Sequence, residues 1–104
     1  MERIVVDTFI VPEESRSAFL ELASRAQGFL KTLPGFVEGY LYERVDLTGT
    51  TNFMTTAVWE NEEAYENAKK SATSEFQKWG FNQPEALKKL KIEKDRALYT
   101  RSPW

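Results

Sequence analysis

No segment narrows the choice of fold as sharply as Ile4 to Val11, which reads Ile-Val-Val-Asp-Thr-Phe-Ile-Val. Its length and its β-branched and aromatic residues suit a strand, and both alternating faces of that strand are largely apolar. A strand of that kind must be covered on both sides. The chain has 104 residues, which is room for a single domain over 1–104, so few elements are available to do the covering. Pro12-Glu13-Glu14 offers a helix start, with proline early and acids near the positive end of the helix dipole. Phe19, Leu22, Ala23, Ala26, Phe29, Leu30 and Leu33 then recur at steps of three and four, one stripe of a helix whose Glu21, Arg25 and Lys31 point elsewhere. Gly28 within it costs about 1 kcal/mol relative to Ala. Pro34-Gly35 ends the helix.

Phe36 to Val45 predicts a second strand, with Phe36, Glu38, Tyr40, Tyr42 and Arg44 on one face and Val37, Gly39, Leu41, Glu43 and Val45 on the other. Asp46 to Thr50 is turn chemistry, and Asn52 to Trp59 is the partner of a hairpin, with Phe53, Thr55, Ala57 and Trp59 sharing a face. Asn61 can cap a second helix whose buried stripe is Ala64, Tyr65, Ala68, Ala72 and Phe76. Trp79-Gly80-Phe81 closes it, Asn82-Gln83-Pro84 opens a short helical turn through Leu90, and Glu93 to Thr100 predicts the last strand. Strand, helix, strand, strand, helix, strand is the split βαβ order of the ferredoxin-like α+β fold. Its helices cover one face of the sheet. The apolar other face of the first strand calls for a second copy of the same sheet, and a homodimer is expected.

Composition removes whole classes of chemistry. With no Cys and no His there is no disulfide, no thiolate or imidazole metal site and no Ser-His-Asp triad, and no metal site is expected. The 14 basic against 16 acidic side chains, a net charge of −2, do not suit a nucleic-acid backbone. No apolar run approaches the roughly 18 residues of a membrane span, and Met1-Glu2-Arg3 leads straight into a strand rather than a signal peptide, so a cytoplasmic protein is expected.

Four segments carry a family likeness: Val11-Pro12 at the end of the first strand, Leu-Pro-Gly-Phe-Val-Glu-Gly at Leu33 to Gly39, Val58-Trp59-Glu60-Asn61, and Glu62-Glu63-Ala64-Tyr65. Together they resemble the antibiotic biosynthesis monooxygenase family of dimeric α/β barrels, over nearly the whole chain. That superfamily includes quinone-forming oxygenases, haem-degrading oxygenases and isomerases. The haem-degrading branch uses an Asn on the first strand, and a Trp and a His near the second helix; Asp7, Ala68 and Lys78 stand there, and no His exists to ligate iron. The cofactor-free branch is the better match. Its Trp at the end of the third strand and its Tyr on the following helix correspond to Trp59 and Tyr65, while Thr55 replaces an Asn, and Lys78 or Trp79 falls where that branch has an Arg. The resemblance implies a cofactor-independent monooxygenase for a small aromatic or quinone-like molecule.

Oxygen reacts with an organic substrate unaided once that substrate is a stabilised carbanion, which asks the protein for a base, an oxyanion partner and a dry pocket. The candidate bases are Asp7, Glu38 and Tyr65, and Asp7 draws attention because it interrupts an apolar strand. The candidate oxyanion partners are Trp59, Thr55, Tyr40 and Arg44. Each has a packing alternative. Trp59 and Tyr65 suit a core, Asp7 can pair with Arg44 or Arg96, Glu38 can pair with Arg44, and Tyr40, Tyr42 and Trp79 can stack across a dimer interface. The terminal Trp104 is expected to pack on a second protomer. An oxygenase or related isomerase, and a non-enzymatic ligand-binding or dimerisation module, both fit the residues.

Overall fold

The computed structural model describes residues 1–47 and 51–103. Four strands, β1 (Arg3–Val11), β2 (Phe36–Glu43), β3 (Thr51–Trp59) and β4 (Glu93–Tyr99), form one sheet in the order β2-β3-β1-β4, with every neighbouring pair antiparallel. Three helices, α1 (Arg16–Leu30), α2 (Glu62–Lys78) and α3 (Gln83–Lys89), complete a ferredoxin-like α+β fold. None of the described helices is long and apolar enough to cross a membrane.

The twofold alternation of β1 sorts the sheet into two faces. Val5, Asp7, Phe9 and Val11 are buried on one of them, opposite Ala57, Thr55, Phe53 and Thr51 of β3. Helices pack here in two clusters. Phe19 of α1 seats between Phe9 and Phe53, at 4.8 Å from each ring centroid, and joins Val11 and Ile92. Tyr65 and Ala68 of α2 pack with Val5, Ala57 and Trp59. The opposite face presents Ile4, Val6 and Ile10 in register with Tyr99, Ala97 and Glu93, and carries Tyr40 and Tyr42 across from Thr56 and Met54. Ile10, Tyr40, Tyr42 and Tyr99 are all exposed, so the described residues leave this face without cover.

Several boundaries depart from those expected. Pro12 precedes a 3-10 turn, Glu13–Ser15, instead of opening α1, and Ser15 Oγ donates to the Leu90 carbonyl at 2.8 Å, which ties that turn to the end of α3. The α-helix runs from Arg16 to Leu30, stops short of Leu33, and continues unbroken through an exposed Gly28. Asn61 caps α2 as expected, its Oδ1 accepting from the Ala64 N–H at 2.8 Å, and Asn82 does the same for α3 at 3.1 Å. The strand predicted to reach Val45 ends at Glu43, and Arg44 beyond it turns back on Asp46 at 2.5 Å. The last strand stops at Tyr99, one residue before Thr100.

The largest correction is in β2. Phe36 stands opposite Trp59, yet Glu38 stands opposite Val58, because a bulge inserts one residue between them. Phe36 is thereby moved off the face of Glu38, Tyr40 and Tyr42 and packs edge-on against Trp59, with centroids 5.4 Å apart. Just before it, Gly35 has φ +83°, and a Cβ there would lie 2.4 Å from Ala64 Cβ, so the Pro-Gly turn also lets α2 approach. Of the expected turn at Asp46 to Thr50, residues 48–50 lie outside the described residues, as does Trp104.

Candidate functional site

Between α1, α2 and the sheet lies a cavity of about 470 Å³, of the size that encloses small organic ligands. It exists because the side chains facing it are small where the layers would otherwise meet: Ala23 and Ala26 on α1, Ala57 on β3, Ala68 and Ala72 on α2. Val5, Phe9, Phe19, Leu22 and Leu30 make most of its wall apolar, and Phe81 to Pro84, leading into α3, flank it.

Polar groups enter from named positions. Trp59, at the end of β3, is 2% exposed and is wall and core at once. Tyr65, one turn into α2, reaches the same space beneath Lys69, whose Nζ lies 4.9 Å from the ring centroid. Thr55 and Asp7 stand opposite one another on neighbouring strands, and both line the cavity. So does Gln27 of α1, whose Oε1 is buried without a hydrogen-bond partner and occupies space that a Cβ on Gly39 would invade, at 2.9 Å.

Asp7 is held by Arg96, its register partner on β4. The guanidinium donates from Nε to Oδ1 at 2.8 Å and from Nη2 to Oδ2 at 2.9 Å, a bidentate charged pair. Of the two partners offered by the sequence, Arg44 is far out on its own loop with Asp46, and Arg96 is the one that reaches Asp7. Lys94, two residues earlier on the same face of β4, brings Nζ to 3.9 Å from Asp7 Oδ2 and donates to Gln83 Oε1 at 3.1 Å. Burial above all, and then the neighbouring Arg96, push the Lys94 ammonium below the ordinary lysine range, with Asp7 opposing them. Arg96 is raised, first by its hydrogen bonds to Asp7 and in smaller part by the adjacent Tyr65 hydroxyl.

Among the residues singled out in the sequence, Asp7, Thr55, Trp59 and Tyr65 meet in this cavity. The others lie elsewhere. Glu38 and Tyr40 project from the opposite face of the sheet, Arg44 is exposed, and Lys78 is exposed at the end of α2. Trp79 lies outside the cavity between the ends of α1 and α2, where it contacts Phe76 and Phe29 and stacks beneath Arg25, 4.1 Å from its guanidinium carbon. Nothing in the sequence singles out Lys94 or Gln27, and it offers Arg96 only as a partner for Asp7. The alternation Glu93-Lys94-Asp95-Arg96 does place the two cations on one face, but only the register of β4 against β1 says which face. No group of three or more acidic side chains among the described residues is placed to hold a metal ion.

Several solved structures share this fold over nearly their full length. The cofactor-independent oxygenase SnoaB from Streptomyces nogalater is 26% identical, with a TM-score of 0.68, covering 99% of this chain and 95% of that one. The monooxygenase from the gene ActVA-Orf6 of Streptomyces coelicolor, solved with the ligand nanaomycin D, is 22% identical, with a TM-score of 0.68 and coverage of 98% and 88%. A dimeric ferredoxin-like protein from an uncultured marine organism is 10% identical, with a TM-score of 0.70 and 98% of each chain covered. A comparison with curated protein sequences gave no match. The sequence profile of the antibiotic biosynthesis monooxygenases matches residues 3–79, from the first residue of β1 past the end of α2, and the chain belongs to that family.

Proposed function

We propose that this chain is a cofactor-independent monooxygenase that oxidises a small aromatic or quinone-like molecule in the cavity between its sheet and helices. The observation that carries this reading is the hollow of about 470 Å³, apolar over most of its wall and edged by the Trp59 indole, the Tyr65 phenol, the Thr55 hydroxyl and the Asp7 carboxylate. The likeness to SnoaB, a cofactor-independent oxygenase, supports it.

An anthrone illustrates the chemistry. Its ring CH₂ loses a proton to a base, oxygen adds to the resulting carbanion to give a peroxide, and loss of the second hydrogen with cleavage of the O–O bond releases water and leaves the quinone. One anthrone and one O₂ give one quinone and one water. Asp7 and Tyr65 are the proton acceptors that face the cavity; Glu38, on the other side of the sheet, has no part. The Trp59 N–H and the Thr55 hydroxyl supply donors for the oxyanion, and the apolar wall keeps water away from the carbanion.

The active species is a homodimer in this reading, because the open face places Ile10, Tyr40, Tyr42 and Tyr99 in water unless a second sheet covers them. Oxygen uptake with an anthrone tests the reaction. Tyr65→Phe, which keeps the ring and removes the hydroxyl, is expected to slow turnover by about tenfold or more. Tight binding of the anthrone with no uptake at all points instead to a non-enzymatic ligand-binding module.

A further inference from the structure

The chain carries a net charge of −2, yet beside the sheet-side wall of its cavity two cations crowd one carboxylate. Arg96 and Lys94 both lean on one carboxylate, Asp7, so the cluster holds two cations to one anion. Asp7 is the only acidic side chain among the described residues that line the cavity. The remaining cation there, Lys69, is matched outside it by Glu66 at 3.2 Å. The unmatched charge is also shielded from water, since the Lys94 side chain is 18% exposed. A charge in that position is costly unless something neutralises it, and the lowered proton affinity of Lys94 reflects that cost.

Asp7 takes the Nε and Nη2 edge of the Arg96 guanidinium, one oxygen to each, and its side chain is 11% exposed. The Nη1 end of the fork remains, on a side chain that lines the cavity and is 41% exposed. The Tyr65 hydroxyl adjoins the same guanidinium. Lys94 and Arg96 both lie on β4, beyond the residues 3–79 matched to the family, so membership alone does not account for them.

We infer that the Arg96 end of the cavity is an anion-binding subsite, and that the aromatic ligand of this chain carries an ionised acidic oxygen, a carboxylate or acidic phenolate, seated on the guanidinium that Asp7 holds in place. This deepens the function proposed above and rests on its aromatic cavity. Arg96 is the specificity-determining residue, Asp7 positions it, and Lys94 adds positive potential from behind. A neutral ligand of the same shape satisfies the apolar wall and leaves the excess charge unpaired.

The test titrates the full chain calorimetrically with two probes of one shape, anthraquinone-2-carboxylate and anthraquinone-2-carboxamide. The wild-type chain is expected to bind the carboxylate at least about tenfold more tightly. Arg96→Met should bring the ratio to about one while leaving carboxamide affinity nearly unchanged, and Lys94→Met should reduce the ratio by about threefold. If Arg96→Met alone fails to fold, the paired variant Asp7→Asn with Arg96→Met removes both charges and should show the same loss of preference. Equal binding of the two probes by the wild-type chain overturns the anion subsite and leaves the aromatic cavity standing, as does a carboxylate preference that survives in the paired variant. Failure of both probes to bind overturns the aromatic cavity and this inference with it.

Discussion

Trp59 and Tyr65 face one cavity yet differ in how far they can be altered. Trp59 is 2% exposed and braced by Phe36, so Trp59→Phe opens a void in the core and should lower stability by about 1–2 kcal/mol in urea unfolding. Tyr65→Phe removes one hydroxyl and should cost less than about 1 kcal/mol, which makes it the cleaner probe of chemistry. If the two variants lose equal stability, Trp59 is not the packed core residue described above. Lys94 supplies a pH signature. Its proton affinity in the folded chain is depressed, so between that lowered value and the ordinary lysine value the unfolded chain binds more protons, and this group's contribution to stability rises with pH. Lys94→Met removes that slope. The stability of wild type relative to Lys94→Met should therefore improve from neutral pH to about pH 10 at fixed protein concentration, and a constant difference would contradict the buried cation. The pairing of Asp7 was partly legible in the sequence, as a choice between Arg44 and Arg96. The choice itself was not, because it depends on which strand becomes the neighbour of β1, a fact of topology that no local pattern records.

Elements were legible where local chemistry decides them. Asn61 and Asn82 announce helix starts through their side chains, and both accept the expected backbone N–H. The bulge in β2 is not legible, since alternation counts residues and a bulge changes the count: alternation puts Phe36 with Tyr40 and Tyr42, and it lies on the other face. Two glycines separate helix propensity from backbone necessity. Gly28 sits exposed in α1 with open space around its missing Cβ, so Gly28→Ala should raise stability by about 0.5–1 kcal/mol. Gly35 combines φ +83° with the approach of Ala64, and Gly35→Ala should lower stability by more than about 2 kcal/mol. Thermal melts of the two variants check the pair, and shifts of the same sign would contradict the account of the Pro-Gly turn.

At the scale of the molecule, one sheet serves two purposes. Its helix face encloses the cavity, and its other face carries exposed Ile10, Tyr40, Tyr42 and Tyr99. Two such faces closing on each other give the homodimer proposed above, and sedimentation should find a dimer at micromolar concentration that Ile10→Asp with Tyr40→Asp converts to a monomer. A wild-type monomer at that concentration would contradict the proposal. The need for cover was readable from β1 alone, because its apolar residues fall on both faces. The hollow was harder to read. Ala23, Ala26, Ala68 and Ala72 are plain in the sequence as parts of helical stripes, but that they meet across one space follows from how α1 and α2 lie on the sheet.

Oxygen consumption by the purified chain with an anthrone, in the presence of a metal chelator, tests the central claim most directly. The account predicts uptake of one O₂ per anthrone with formation of the quinone, undiminished by the chelator and slowed about tenfold or more by Tyr65→Phe. Uptake no faster than in protein-free buffer, or a rate indifferent to Tyr65→Phe, would contradict it.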